Sequence, residues 1–365
     1  MKSNRRSLIV AAVCGALTAA LPMLTQAAEP SAGSAALKKI IAAARQEGAL
    51  SIVVGEGTLG GSNSGLAEGF NKYYGLNLDV RFTPGPPMPN VAAAVVQQAE
   101  AHRPAMTDVI VGYANHMMTV IGANAAEKVD WKDWAPNLQK PGLVSPEGAA
   151  VPVQSSTVGI AYNTNALQGK DIPHSFHDFL NPKLKGRVAT TPYASSFDRL
   201  ATDDMWGKEK TLEFTHVLSE QVGGLIRCNE MDRVANGEFD AFGLTCSQND
   251  ALATGAKGAP VGFTLASDAP IVMYLYEAVP ATSAHPNAAK LWINYMSSPE
   301  GQKTLYKASF ADLHLLPGSQ TVKIIDELQT KGVKFLVVDT DFYRRHDAKA
   351  LDAVLSQVQA ILRKH

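Results

Sequence analysis

Val151-Pro152-Val153-Gln154-Ser155-Ser156-Thr157-Val158-Gly159-Ile160-Ala161-Tyr162-Asn163-Thr164-Asn165 lies near the middle of a 365-residue chain and reads as one long strand. It is rich in β-branched and aromatic residues, opens near a proline and stops at a polar Asn-Thr-Asn. The polar run at 154–157 interrupts an otherwise apolar strand. Such a run is either a solvated edge or bulge, or the point where the chain crosses between two lobes and lines a cleft with Ser155, Ser156 and their neighbours. The flanking sequence favours the crossing.

Upstream, helical and strand patterns alternate. Ala35–Glu47 puts Leu37, Ile40, Ile41 and Ala44 on one face and ends at Gly48. A short buried strand at 50–54 leads into a glycine-rich turn at 55–62, which lets a ligand approach the backbone but lacks the Gly-Lys-Ser/Thr of a phosphate loop. Further helices are expected at 64–74 and 91–102, and strands at 76–82 and 108–111. This alternation predicts an α/β fold with mostly parallel sheets. Ligands in such sheets sit beyond the carboxyl ends of the strands, where Thr58, Tyr113, Asn115 and His116 fall. Downstream, strands are expected at 223–228, 239–246, 261–265 and 271–279. Asn229 and Ser247 are further candidate ligand contacts. Helices are expected at 287–296, 299–309, 321–330, 341–345 and 348–364.

Ser195 and Ser196 precede a helical segment. They are either caps alone, or part of an anion site with Arg199. Tyr113, Tyr193, Tyr274 and Tyr276 offer a stacking or apolar wall. A cationic ligand would call on Glu56 or Asp268.

Composition bounds the rest. With 33 basic and 34 acidic residues the net charge is -1, which argues against a nucleic-acid partner. The chain is long enough for two cores. Lys2, Arg5 and Arg6, an apolar run at 8–24 and Thr25-Gln26-Ala27 read as a signal peptide at 1–27, with an uncleaved anchor as the alternative. Cys14 lacks a convincing lipidation context. After cleavage two cysteines remain, Cys228 and Cys246. They are free thiols or one disulfide, the latter closing a loop of roughly 18 residues. No Gly-x-Ser-x-Gly elbow, His-Glu-x-x-His or paired-carboxylate motif points to an enzyme.

The segment Glu277-Ala278-Val279, then His285-Pro286-Asn287-Ala288-Ala289-Lys290-Leu291-Trp292, then Ser298-Pro299-Glu300-Gly301-Gln302 resembles the bacterial periplasmic solute-binding proteins of ABC importers. More specifically, it resembles the type II group that includes the ferric-iron binders. Gly159 to Thr164, Pro182 to Val188 and Val234-Ala235-Asn236-Gly237-Glu238 fit the same family. The resemblance implies two α/β lobes, residues 36–150 plus 270–365 and residues 155–265, joined by hinge strands at about 151–161 and 261–276. It also implies a periplasmic monomer without cofactor that closes on a small molecule and delivers it to an inner-membrane permease. The iron binders use a tandem Tyr-Tyr of the second lobe. Here the sole Tyr-Tyr, Tyr73-Tyr74, lies in a first-lobe helix. The expected solute is therefore an organic carboxylate, phosphate or phosphonate, and iron held by Tyr162, Tyr193 and His116 is the alternative. A ligand-sensing partner of a membrane receptor would use the same cleft.

Overall fold

A computed structural model describes residues 34–55, 58–61, 64–194 and 196–363. The expected signal peptide, Glu56 and Ser195 lie outside the described residues.

The first part of the chain alternates as expected. Helix α1 (Ala35–Glu47) leads to β1 (Ala49–Val54), α2 (Leu66–Tyr74), β2 (Asp79–Pro84), α3 (Met88–Glu100), β3 (Ile110–Tyr113) and α4 (Ala114–Gly122). The central stretch is two strands rather than one, β4 (Ala150–Thr157) and β5 (Gly159–Asn163), broken at Val158. The break has a cause: β4 pairs with one sheet and β5 with another. Next come β6 (Val188–Thr190), α5 (Phe197–Leu200), α6 (Lys208–Gln221), β7 (Gly224–Leu225), α7 (Asp232–Ala235), β8 (Ala241–Gly243), α8 (Asn249–Ala256) and β9 (Val261–Leu265). The chain returns through β10 (Ile271–Ala278) and finishes with α9 (Pro286–Met296), α10 (Pro299–Ser309), α11 (Thr321–Gln329), β11 (Leu336–Val338), α12 (Thr340–Arg345) and α13 (Ala348–Leu362).

Strand β10 is the spine of a four-stranded sheet. It pairs antiparallel with β4 and β3 and parallel with β11. A separate parallel pair joins β1 and β2. The second main sheet has the order β7-β6-β8-β5-β9; its first three strands run parallel, and β5 runs antiparallel to both neighbours. One apolar core gathers α1 to α4, β1 to β4, β10 and α9. A second gathers β5, β6, β8, α5 and α6. Helix α13 belongs to that second core, through Leu351, Val354, Val358 and Leu362. The resemblance places 270–365 in the first lobe; within that segment the apolar face of α13 packs on α5 and α6.

The family-like motifs are capping devices. The Glu47 carboxylate accepts from the backbone N–H groups of Asn287 and Ala288 at 3.1 and 2.8 Å and from the Asn287 amide at 2.7 Å, so an anion closes the amino end of α9. His285 reaches Asp108 at 2.7 Å. Ser298 caps α10 by accepting from Gly301 N–H at 3.0 Å. Gln302 donates to the Val153 carbonyl on β4 at 2.9 Å and accepts from Leu313 N–H at 2.6 Å. Gly301 must be glycine, because a Cβ there would stand 2.1 Å from the Tyr295 carbonyl oxygen.

Candidate functional site

The polar run of β4 is not a solvated edge: all eight residues of the strand are buried. Its side chains divide. Gln154 faces a cleft. Ser155 turns away, with its hydroxyl 2.8 Å from His314 Nδ1. Thr157 is held by the buried Gln248, whose Oε1 accepts from Thr157 N–H at 2.8 Å and from its hydroxyl at 3.1 Å; Gln248 Nε2 donates to the Ser155 carbonyl at 3.2 Å.

Two cavities of about 890 and 700 Å³ share Met88, Tyr113, Tyr193 and Cys246 in their walls and so form one continuous cleft. It takes residues from both cores. Tyr113 ends β3 beside the start of α4, and its backbone N–H donates to His116 Nδ1 at 3.1 Å. Gly112 makes room for that fold-back, since a Cβ there would meet the same nitrogen at 2.9 Å. Burial, with the charge of Arg199 behind it, pushes the His116 pKa down to about 4. The ring is neutral at pH 7. With Nδ1 accepting, its proton sits on Nε2, a donor at the cleft wall.

Arg199 stands on the single-turn helix α5. It donates through one terminal nitrogen to Asp198 and through the other to the Tyr343 hydroxyl, both at 3.2 Å. Its Nε is buried without a partner among the described residues. Burial acts to lower its pKa, but Asp198 and the Tyr343 and Tyr113 hydroxyls outweigh it and raise it above the ordinary value. The charge is permanent.

Ser196 does not cap α5 with its side chain. Its backbone is left-handed at φ 69°, and its hydroxyl is buried and unpartnered among the described residues. Ala194 shares that region at φ 53°. Two non-glycine residues held there cost about 1–2 kcal/mol each. The four residues of α5 give little dipole, so the positive character here comes from Arg199.

The other cavity is lined by Thr58, Gln154, Asn229, Ser247, Asn249 and Asp250, among others. The Cys228–Cys246 disulfide, with Cα atoms 5.8 Å apart, forms part of its wall. It ties the loops beyond β7 and β8, two strands parallel to β6 between them. Burial raises the Asp250 pKa above the ordinary carboxylate value. Its carboxylate makes no hydrogen bond or ion pair with the described residues.

Of the residues expected from sequence, Thr58, Tyr113, Asn115, Tyr193, Ser196, Arg199, Asn229 and Ser247 line the cleft. Ser155, Ser156 and Tyr274 do not. Ser155 and Ser156 are fully buried. Tyr274 stacks on His314 at 5.7 Å. Asp268, named for a cationic ligand, instead accepts from Phe176 N–H at 2.9 Å and His177 N–H at 3.2 Å. The iron set is split. Tyr193 and His116 line the cleft, whereas Tyr162 covers Gly262 in the sheet. Among the described residues no group of three or more His, Cys, Asp or Glu is placed to hold a metal. Tyr73 and Tyr74 are packing residues, their hydroxyls accepting from Asn137 at 3.2 Å and Asn294 at 2.6 Å.

Sequence reasoning missed Tyr343, Leu351 and Leu355, which reach the cleft from α12 and α13. It also missed Asn249 and Asp250. Extending the strand-end rule a few residues past Ser247 reaches both; nothing local marks Tyr343.

Residues 105–346 match the family of bacterial extracellular solute-binding proteins. No curated protein matches the sequence significantly. Among solved structures, the substrate-binding protein of an ABC transporter from Agrobacterium tumefaciens is 16% identical with a TM-score of 0.70, over 86% of this chain and 96% of that one. Iron-bound HitA from Pseudomonas aeruginosa is 19% identical with a TM-score of 0.67, over 86% and 99%. AfuA from Actinobacillus pleuropneumoniae, solved with fructose-6-phosphate, is 17% identical with a TM-score of 0.67, over 87% and 99%. These likenesses establish the type II periplasmic binding protein fold.

Proposed function

Since the chain belongs to the bacterial extracellular solute-binding proteins, we propose that it captures a small anionic organic solute in this cleft and delivers it to an inner-membrane ABC permease. The anion is a carboxylate, phosphate or phosphonate. It lies against Arg199, with Ser196, His116 and Tyr113 completing the contacts. The observation that carries this reading is the buried Arg199 Nε, a charged donor with no partner among the described residues, in a wall of the cleft. A buried cationic donor left unpaired is costly, and an incoming anion supplies what it lacks.

Residues 36–150 with the returning β10 region form one lobe and 155–265 the other, with hinges at 151–161 and 261–276. The open form admits the solute, and contacts to both lobes favour closure. Export through the peptide at 1–27 puts the mature, monomeric protein in the periplasm, where it binds and releases its solute without chemical change.

Native mass spectrometry of the freshly purified protein, followed by denaturation, identifies the bound molecule. Binding of that molecule to Arg199→Gln is then measured by calorimetry. The expected loss is about 2–5 kcal/mol, the cost of truncating one partner of a buried charged pair. Unchanged affinity, or release of a molecule without an anionic group, rejects the anion reading. Recovery of a chemically altered solute would replace capture with catalysis.

A further inference from the structure

Resting on the anion reading above, we infer that the solute is a zwitterion whose protonated amine is held by Asp250 in the cavity adjoining that of Arg199. The two cavities differ in the groups left buried without a partner among the described residues. On the Arg199 side the open positions include donors: Arg199 Nε, His116 Nε2 and the Ser196 hydroxyl. In the adjoining cavity the buried unpartnered atoms are acceptors. Gln154, only 5% exposed, leaves its Oε1 unpartnered, and Asn249 leaves its Oδ1 buried and unpartnered, among the described residues. The Asp250 carboxylate stands in the same wall without a hydrogen bond or ion pair among those residues. An amide can be turned to present its nitrogen, but a carboxylate offers only acceptors at neutral pH, so Asp250 sets the sign of this end.

Tyr113 lies in both cavities and marks the boundary. Its hydroxyl feels both charges, with burial raising its pKa most, Arg199 lowering it and Asp250 raising it. A ligand that spans both cavities therefore meets Arg199, already paired with Asp198, in one and the unpaired Asp250 in the other. A plain carboxylate or phosphate would leave Asp250 and two acceptors unpaired behind it. An ammonium, with three donors and no acceptor, supplies what the Asp250 carboxylate lacks.

The test is calorimetry on the full mature protein with straight-chain ω-amino carboxylates from glycine to 6-aminohexanoate. Each is compared with the carboxylate of equal length lacking the amine. At the length that fits, the amino acid should bind at least about tenfold more tightly than its mate. Asp250→Asn should cut that advantage below about threefold without weakening the plain carboxylate. Asp250→Ser gives the same readout should the amide find a new partner, and circular dichroism verifies the fold of each variant. Arg199→Gln should weaken both members of the pair. Equal affinity within every pair, an advantage that survives in both Asp250 variants, or no amino probe binding at millimolar concentration overturns the zwitterion. In each of the first two cases, loss of plain carboxylate binding in Arg199→Gln keeps the anion reading standing. Its persistence removes that reading too.

Discussion

Glu277 sits fully buried on β10, where one carboxylate oxygen accepts from Trp292 Nε1 at 3.1 Å and the other has no partner among the described residues. Burial pushes its pKa up to about 8, so the folded protein keeps a proton that the unfolded chain has released. Stability from this group is present below the ordinary carboxylate range and is lost as pH rises toward 8. His116 and His314 act in the opposite sense. Burial lowers both to about 4, and their contribution is lost as pH falls below about 6.5. For these three groups together stability is greatest near neutrality. Glu277→Gln keeps an acceptor for Trp292 and removes the titration. Between pH 6.5 and 8 the wild type should lose about 2 kcal/mol relative to this variant in urea unfolding; parallel pH profiles would reject the assignment. Legibility at this scale was uneven. Arg199, Tyr113 and Asn115 could be placed because strand ends and short turns are marked locally. Ser155, Ser156 and Tyr162 could not, because a strand residue's face depends on its partner strands. Glu277 was visible only as part of a motif, since burial of a single carboxyl is set by the packing of α9.

Helix α6 shows why some elements escaped the sequence. Its buried face includes Thr211, Thr215 and Ser219, whose hydroxyls donate to the carbonyls of Gly207, Thr211 and His216 at 2.8, 2.6 and 2.7 Å. Hydroxyls satisfied within the helix can be buried like apolar groups, and the hydrophobic period is hidden. Helices α1 and α9, whose apolar faces repeat regularly, were legible almost to the residue. The link between β4 and α8 depends on Gln248. Gln248→Ala strands the Thr157 N–H and the Ser155 carbonyl in a dry site, and should cost about 1–3 kcal/mol in denaturant unfolding. A loss within error would mean that water replaces the amide. The bridge between the β7 and β8 loops is the second inter-element tie. Replacing Cys228 and Cys246 by Ser should cost about 3 kcal/mol for a loop of this length, read as a lower urea midpoint. An unchanged midpoint would show that neighbouring packing alone fixes the two loops.

At the scale of the whole molecule, β4 and β10 pair along almost their full length, from Thr157↔Val272 to Ala150↔Ala278. A paired ribbon bends more readily than its strands slide, because sliding breaks every rung of the ladder at once. Closure should therefore be a rotation. Small-angle scattering with and without the ligand recovered from the purified protein should show a smaller radius of gyration when bound, with unchanged mass. An identical curve would mean that the cleft is already closed when empty. Helix α13 adds a further connection, as it packs on α5 and α6 while α12 leads into it from β11. The two-sheet plan was legible from the alternation of elements and the motif order. The end of the chain was not, because an amphipathic helix does not say which core it joins. The Cys228–Cys246 bond has a last consequence, because it is both a crosslink and a part of the cleft wall. Ligand and reductant then act on one thermodynamic cycle. By whatever factor the intact bond tightens solute binding, bound solute must make that bond harder to reduce by the same factor. A loaded molecule and an empty one would thus differ in redox potential, and a thiol titration could report occupancy without detecting the solute at all.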